Sequence, residues 1–286
     1  MLKELFVAKI LTVFKWFITL GDEPQSFLGA GWIPAFLSRV SERKKRPWAL
    51  RILSLSPHYF LDRDSPEYAG MSNDEYLEAT FASLIRSREL IYEKILKPYL
   101  DSNHDVLDYG CGPGFLAKAT APHVKHIFAV DVSGGAIACA KVVNSAENLD
   151  YLVADQDGFS AIPDEQLDAI FSFAVVQHLT NDSFEALLEK CQRKLKPDGR
   201  LVLHIQLKDD IWRTEDEHYS NRSIKGKIKY AYGLHCFGRT EREHIEHVSR
   251  FNFTEIEINK LEDFVPEFAA EVHSQRLLTA RKKSGN

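Results

Sequence analysis

The sequence predicts an α/β fold, in which a doubly wound sheet of seven strands follows an N-terminal helical extension. Two observations carry this prediction. From about residue 101 onwards, short apolar runs alternate with segments of helical pattern, as in the βαβ units of a mostly parallel sheet. At residues 106–118, the segment VLDYGCGPGFLAK has the pattern of a strand, a glycine-rich turn and the start of a helix. We therefore expect an extension over residues 1–100 and an α/β domain over residues 101–286.

The composition is that of a globular protein. Hydrophobic residues make up 44% of the chain and charged residues 27%, which is enough apolar material for a core. The formal net charge of −5 gives no global reason to expect nucleic acid as a partner. The cysteine spacing fits neither a zinc site nor a disulfide framework, and free thiols are typical of a reducing, cytoplasmic compartment. The cysteines are Cys111, Cys139, Cys191 and Cys236.

The first 20 residues form a strongly apolar segment that charged residues interrupt. It is therefore a poor transmembrane helix, and no small-residue cleavage site follows it as in a signal peptide. As a helix, Met1–Leu20 is amphipathic, and the basic run Arg43–Arg46 follows beside Trp48. Two interpretations stay open: peripheral membrane contact through 1–20 and 43–46, or packing of the helix on the main domain or on a second subunit. The sequence predicts no oligomeric state.

The rest of the extension is predicted to contain one long helix. Residues 21–63 include four prolines, which is typical of a linker or of short helices. Ser72–Glu75 then has the pattern of a capping box. We expect a helix from Ser72 to about Lys97, ended by Pro98.

Glycine stands at positions 110, 112 and 114, directly after the first predicted strand. Without a Cβ atom, such a turn brings the backbone close to a ligand. A dinucleotide fingerprint would need its third glycine one position later, where Phe115 stands. The spacing therefore disfavours NAD and FAD.

Six further strands and three helices complete the predicted domain. Asp108, Asp131 and Asp155 come at the ends of the first three strands. Because ligands of open α/β sheets bind outside the carboxyl ends of the strands, we expect these acids to share one site. The further strands are Ile127–Asp131, Tyr151–Asp155, Leu167–Val176, Gly199–Leu207, Phe253–Ile258 and Ser274–Lys282, and the helices are Ser133–Ala146, Asn181–Leu195 and Thr240–Arg250.

Taken together, five motifs between Val106 and Lys282 resemble the class I S-adenosylmethionine (SAM)-dependent methyltransferases of the small-molecule type. They are LDYGCGPG, VDVS, VADQ, DAIFSFAVVQHL and LKPDGRLVL. The resemblance implies a Rossmann-like methyltransferase sheet, SAM as the cofactor, and methyl transfer to a small-molecule acceptor. We expect oxygen as the methyl-accepting atom, with carbon and nitrogen as alternatives. Two alternatives stay open: a lipid-linked or amphiphilic acceptor met at a membrane surface, and a catalytically inactive subunit of the SAM fold that binds a partner.

The resemblance also implies roles for single residues. The glycine loop would approach the amino-acid part of SAM, and Asp108 would hold its ammonium group. Asp131 would accept the ribose hydroxyls, Val132 would pack on the adenine, and Asp155, with Gln156 beside it, would accept the adenine amino group. The implied cofactor residues are Asp108, Gly110, Cys111, Gly112, Gly114, Asp131, Val132, Asp155, Gln156 and Phe173.

His178 is the titratable residue at the rim of the fourth predicted strand. An imidazole there can take a proton from a hydroxyl while the methyl group moves. The alternative is a histidine that caps a helix or packs. The rim lacks both the acid that a metal-dependent member would need and the Asn/Asp-Pro-Pro-aromatic box of base and amide N-methylation. We therefore expect no metal site.

Residues 208–238 stand where the family places insertions that cover the substrate. Their aromatic residues are candidates for a substrate pocket, together with residues of the extension, whereas a solvated surface loop fits the charges better. The pocket candidates are Tyr59, Tyr68, Met71, Tyr76, Trp212, Tyr219, Tyr230, Tyr232 and His235, and the candidate anion or membrane contacts are Arg222, Lys225, Lys227 and Lys229.

Overall fold

The structure, a computed structural model, describes residues 32–55, 66–154, 160–208, 214, 236–269 and 272–284. Met1–Leu20, Tyr59, Asp155 and Gln156 lie outside these ranges, as do residues 209–213 and 215–235 of the predicted insertion.

The described part of the chain contains one seven-stranded sheet, which confirms the predicted doubly wound fold. The strands are, in chain order, β1 (Asp105–Tyr109), β2 (His126–Asp131), β3 (Leu149–Val153), β4 (Leu167–Ser172), β5 (Leu195–Gln206), β6 (Phe253–Lys260) and β7 (Gln275–Lys282). Their order across the sheet is β3-β2-β1-β4-β5-β7-β6. The first five strands pair in parallel, whereas β7 is antiparallel to both β5 and β6. The carboxyl ends of β1, β2 and β4 therefore lie side by side at one edge.

The ends of β4 and β3, at the edge that carries the glycine loop, differ from the prediction. Strand β4 ends at Ser172, four residues earlier than expected, because Ala174 has a φ of +58° and residues Val176–His178 form a 3-10 turn. Strand β3 covers 149–153 rather than 151–155, so Asp155 follows the strand and does not end it.

The start of β5 is also earlier than the predicted Gly199. Leu195 already pairs with Leu167 of β4, and the register then jumps to the pair Ala169–Arg200. The intervening Lys-Pro-Asp-Gly residues form an irregularity within the strand, where Asp198 has a φ of +63°. The predicted turn residues thus lie within β5, as a bulge in its pairing with β4.

Seven α-helices flank the sheet in the described ranges. They are α1 (Trp32–Arg39), α2 (Glu42–Leu53), α3 (Asn73–Ile91), α4 (Phe115–Thr120), α5 (Gly134–Val143), α6 (Asn181–Lys194) and α7 (Glu241–Arg250). The predicted capping boxes at Ser72 and Thr240 are both present, at the starts of α3 and α7. Helix α3 continues into a π-helical turn at Tyr92–Leu96, close to the predicted end. Helices α1 and α2 are the short helices of the proline-containing segment.

The core has one apolar cluster on each face of the sheet and a third under the N-terminal helices. Val106 and Leu107, neighbours in β1, belong to the clusters on opposite faces, as the alternation of a strand requires. The third cluster joins α1, α2 and α3 to Phe115 of α4 and to Cys139 of α5. Tyr76 is buried there, with its ring 5.1 Å from that of Tyr68. The described part of the extension thus packs on the sheet domain, while the boundary at residue 100 stays a prediction.

In the described ranges, no helix has both the length and the apolar character needed to cross a membrane.

Candidate functional site

The glycine loop after β1 has a left-handed backbone at each predicted glycine. Gly110, Gly112 and Gly114 have φ values of +74°, +51° and +77°, which side chains with a Cβ rarely adopt. A Cβ atom on Gly110 would also overlap the Val175 side chain, and one on Gly114 would overlap the ring of Tyr151. Both the backbone conformation and the neighbouring side chains therefore exclude larger residues at Gly110 and Gly114.

Asp131, at the carboxyl end of β2, ties this loop to the next helix. One of its carboxylate oxygens accepts the Gly112 N–H at 2.8 Å, and the other accepts the Ser133 N–H at 2.7 Å. Burial raises the pKa of Asp131, and these two backbone hydrogen bonds oppose the rise. Each carboxylate oxygen has a further lone pair, so the side chain can accept additional hydrogen bonds from a ligand.

Asp108, near the carboxyl end of β1, is buried beneath the same loop, with 2% of its surface exposed. Its Oδ2 atom has no hydrogen-bond partner among the described residues. Burial raises the pKa of Asp108 to about 8, and the nearby charge of Asp131 adds to the effect. A buried acceptor without a donor is costly, so this atom fits a ligand that brings a hydrogen-bond donor or a positive charge.

The rim beyond β4 carries His178. Its backbone N–H donates to the Val175 carbonyl at 2.8 Å, and its Nδ1 lies 3.5 Å from Sγ of Cys236. This thiol comes from the chain segment that returns after the predicted insertion. The structure therefore brings an imidazole and a thiol together at the edge where the glycine loop lies.

The buried side chain of Arg239 holds this rim in place. Its Nε donates to Oδ1 of Asn181 at 2.7 Å, and its terminal nitrogens donate to the carbonyls of Val176 and Leu179. Nearby, the Phe237 N–H donates to the Gln177 carbonyl at 2.6 Å. Residues 236–239 thus fasten the backbone on both sides of His178.

A family model described as a methyltransferase domain matches residues 107–203. This range contains the glycine loop, Asp131 and His178. Over these residues, the chain is similar to methyltransferase domains.

Curated methyltransferases match part of the chain at modest identity. The "Ubiquinone biosynthesis O-methyltransferase" of Xylella fastidiosa is 32% identical over 100 residues, which are 34% of this chain and 40% of that protein. The protein of the same name from Xanthomonas oryzae is 29% identical over 100 residues, with 34% and 41% covered. The chain therefore spans about two fifths of the length of these relatives.

Solved structures share the fold over a longer range. An S-adenosylmethionine-dependent methyltransferase from Mesorhizobium loti has a TM-score of 0.51 at 16% identity, with 67% of this chain and 97% of that chain covered. A Haemonchus contortus enzyme named phospholethanolamine N-methyltransferase 2, solved with phosphomonomethylethanolamine and S-adenosylhomocysteine, has a TM-score of 0.50 at 15% identity, with 72% and 58% covered. At these identities the similarity shows the fold alone.

Within this methyltransferase fold, the remaining predicted residues divide into three groups. Val132 is 77% exposed beside Asp131, as an apolar residue in contact with a ligand would be, whereas a core residue would be buried. Cys111 is buried in the loop, and burial raises its pKa. Phe173 packs at the β4 rim. Asp155 and Gln156 lie outside the described residues.

Sequence reasoning missed Arg239, missed the contact between Cys236 and His178, and missed His204, which lies behind the β4 rim. These residues are separated from their partners by 30 to 71 positions along the chain. The run Cys-Phe-Gly-Arg at 236–239 has no motif or periodicity that would have indicated a role. Only the folded chain brings it against residues 176–181.

Proposed function

We propose that this protein binds SAM at the carboxyl ends of β1 and β2 and transfers its methyl group to a small-molecule acceptor at oxygen. The observation that carries the proposal is the buried, unpartnered Oδ2 of Asp108 beneath a left-handed glycine loop. A ligand with an ammonium group and a ribose needs an anion and a second carboxylate that accepts hydroxyl groups. Asp108 and Asp131 have this chemistry.

The parts of SAM would be divided among these groups. Asp108 would hold the ammonium group, the glycine loop would approach the amino-acid part, and Asp131 would accept the ribose hydroxyls. Val132 would pack on the adenine, with Asp155 and Gln156 as proposed contacts of its amino group. Bound SAM supplies a methyl group on a sulfonium, which is already a good electrophile. The protein then needs to align the acceptor and to exclude water.

His178 is the proposed proton acceptor for the substrate hydroxyl. Its imidazole lies at the rim next to Val175, and Val175 in turn contacts Gly110 of the glycine loop. A neutral imidazole can take a proton at physiological pH. Cys236 Sγ already lies at hydrogen-bonding distance from Nδ1, which indicates that a small nucleophilic atom fits beside this ring.

Oxygen is the proposed methyl-accepting atom for two reasons. The matching curated relatives are named O-methyltransferases. The chain also lacks the Asn/Asp-Pro-Pro-aromatic box after β4, where the residues read Phe-Ala-Val-Val. The N-methyltransferase from Haemonchus contortus shares the fold only, so it does not bear on the choice of atom.

The test is SAM binding by titration calorimetry, followed by transfer of a labelled methyl group to a phenol and to an amine of matched skeleton. We expect wild type to bind SAM and to label the phenol preferentially. Gly112→Val should abolish SAM binding, because a β-branched residue is strained at a positive φ and would enter the cofactor space. Absence of SAM binding by wild type would instead support a subunit without catalysis that binds a partner.

A lipid-linked or amphiphilic acceptor at a membrane surface is the second candidate, and a surface on α1 and α2 favours it. Trp32 and Trp48 are 48% and 39% exposed, and each meets Phe36 edge-to-face. Residues 32–55 carry six basic residues and one acidic residue in a chain with a net charge of −5. Exposed tryptophans beside basic residues are typical of proteins that contact anionic membrane surfaces.

Two residues of the basic run Arg43–Arg46 have acidic partners within the protein. Lys45 pairs with Glu42, and Arg46 forms a bidentate pair with Glu78, with its guanidinium 4.5 Å from the centre of the Phe81 ring. Arg46 therefore serves the packing of the extension, and Lys45 is paired within α2. The exposed cations of α1 and α2 are Arg39, Arg43 and Lys44. We propose peripheral membrane contact through this surface together with residues 1–20.

A further inference from the structure

The rim of β4 contains an alanine in a backbone conformation that favours glycine. Ala174 has a φ of +58°, in the left-handed region that residues with a Cβ seldom occupy. It follows Phe173 directly and precedes Val175, which contacts Gly110. Strain of this kind persists only where the surroundings hold it, and it is frequent at ligand sites.

The side chain that holds Ala174 is His204 of β5. Its Nδ1 lies 3.1 Å from the Ala174 nitrogen, and its Nε2 lies 2.8 Å from Oε1 of Gln275 on β7. A backbone N–H can only donate, so Nδ1 must be the unprotonated nitrogen of the ring. Nε2 then carries the proton and donates to Gln275. Burial, which lowers the pKa of His204, favours this neutral form.

The same imidazole supports the side chain before Ala174. The ring of Phe173 stacks on it, with the centroids 5.6 Å apart and the planes 7° from parallel. At the end of β4, the Ser172 hydroxyl donates to the carbonyl of Tyr109 on the neighbouring strand β1 at 2.8 Å. His204 therefore fixes both the backbone and the ring of the segment that faces the glycine loop.

We propose that His204 is a positioning residue for the cofactor site: by accepting the Ala174 N–H, it holds residues 173–175 against the glycine loop in the arrangement that binds SAM. The inference rests on the proposed function. His204 lies behind the rim, buried in the sheet with 6% of its surface exposed, and it acts through Phe173, Ala174 and Val175.

The test separates this role from simple packing by a rescue. His204→Leu removes the acceptor and should weaken SAM binding by about tenfold, which is the loss of one well-placed hydrogen bond. His204→Asn should bind within about threefold of wild type, because its Oδ1 can take the place of Nδ1. Adding Ala174→Gly to His204→Leu should restore affinity, since glycine adopts the left-handed conformation without support.

A matched control and a second variant keep the test decisive. Leu201→Ala, at a buried residue of the same strand, should lower the melting temperature and leave SAM affinity unchanged. Ala174→Val places a β-branched residue at the strained, exposed position and should weaken SAM binding even with His204 present, in a protein that folds. If His204→Leu does not fold, the SAM affinities of Ala174→Val and His204→Asn test the positioning role instead.

The outcomes distinguish the inference from the proposed function. If wild type does not bind SAM, the proposed function fails and the inference fails with it. If wild type binds SAM and both His204→Leu and Ala174→Val bind equally well, only the inference is overturned. A loss of affinity in His204→Leu that Ala174→Gly does not restore would assign His204 to core packing and overturn the positioning role.

Discussion

Asp131, at the end of β2, connects this strand to the glycine loop and to the start of α5. Its two oxygens accept N–H groups from both of them. Asp131→Ala would remove these two bonds as well as the proposed ribose contact. We expect SAM affinity to fall at least tenfold, since a charge-assisted hydrogen bond contributes about 1.5–3 kcal/mol. Calorimetry measures the change, with Asp150→Ala, an exposed acid on β3, as the control. Unchanged affinity in Asp131→Ala would contradict the cofactor assignment.

The raised pKa of Asp108 predicts that SAM binding is coupled to the release of a proton. With a pKa of about 8, the free protein holds a proton on Asp108 at pH 7. A bound ammonium group favours the carboxylate, so SAM binding at pH 7 should release about one proton, and affinity should rise between pH 6 and pH 8. Titrations in two buffers of different ionisation enthalpy measure the release. Asp108→Asn should release none, and a wild type that also releases none would refute the proposed ammonium contact.

The sign of the effect on stability follows from the same shift. The pKa of Asp108 in the folded protein lies above that of an unfolded aspartate, which is near 3.9, so folding takes up a proton. The contribution of this group to stability is therefore greatest below about pH 4 and is lost as the pH rises towards 8. Asp108→Asn should flatten this part of the stability profile.

At the scale of single elements, the turn Val176–His178 contains the proposed base. If His178 is the base, His178→Ala should lower the methyl-transfer rate by about 10²–10⁴ and leave SAM affinity intact. Cys236→Ser is the matched control, because it keeps a small polar atom beside Nδ1. Rates are compared at saturating SAM with a phenolic acceptor. A His178→Ala rate within a few-fold of wild type would return His178 to a structural role.

The N-terminal helices act at the scale of the whole molecule, because α1 and α2 share a cluster with α5 and also present the exposed tryptophans. If this surface contacts membranes, the protein should sediment with anionic liposomes and much less with neutral ones. Each basic residue near the surface contributes about 1 kcal/mol, screened by salt. Removing Met1–Leu20, or reversing the charge at Arg43 and Lys44, should then release the protein from the liposomes.

The controls separate membrane contact from packing. Charge reversal at Arg86 and Lys94, exposed residues of the same extension, changes the net charge equally and should leave binding intact. SAM affinity should not change on truncation, since the predicted cofactor residues begin at Asp108. If Met1–Leu20 packs on the domain instead, truncation should lower the melting temperature and liposomes should make no difference. Liposome binding that survives truncation would point to residues 208–238.

The sequence alone determined the order of the elements, the glycine loop and the placement of Asp108 and Asp131 at strand ends. These features depend on local patterns: apolar strands of a buried parallel sheet, glycines that permit positive φ, and capping boxes such as Ser72–Glu75. Each can be read within a window of a few residues. The same local reading placed the end of β4 four residues too late, because apolar composition continues through Val176 although the strand does not.

The tertiary structure determined the backbone conformation after β4 and the side chains that hold it. Beyond the end of β4, the Ala174 N–H donates to His204, 30 positions away. Beside His178, the Leu179 carbonyl accepts from Arg239, 60 positions away. The contacts of Arg46 with Glu78 and Phe81 likewise assign part of an apparent basic patch to packing. Hydrogen bonds and ring contacts between distant segments arise from strand register and helix packing, which no local pattern encodes.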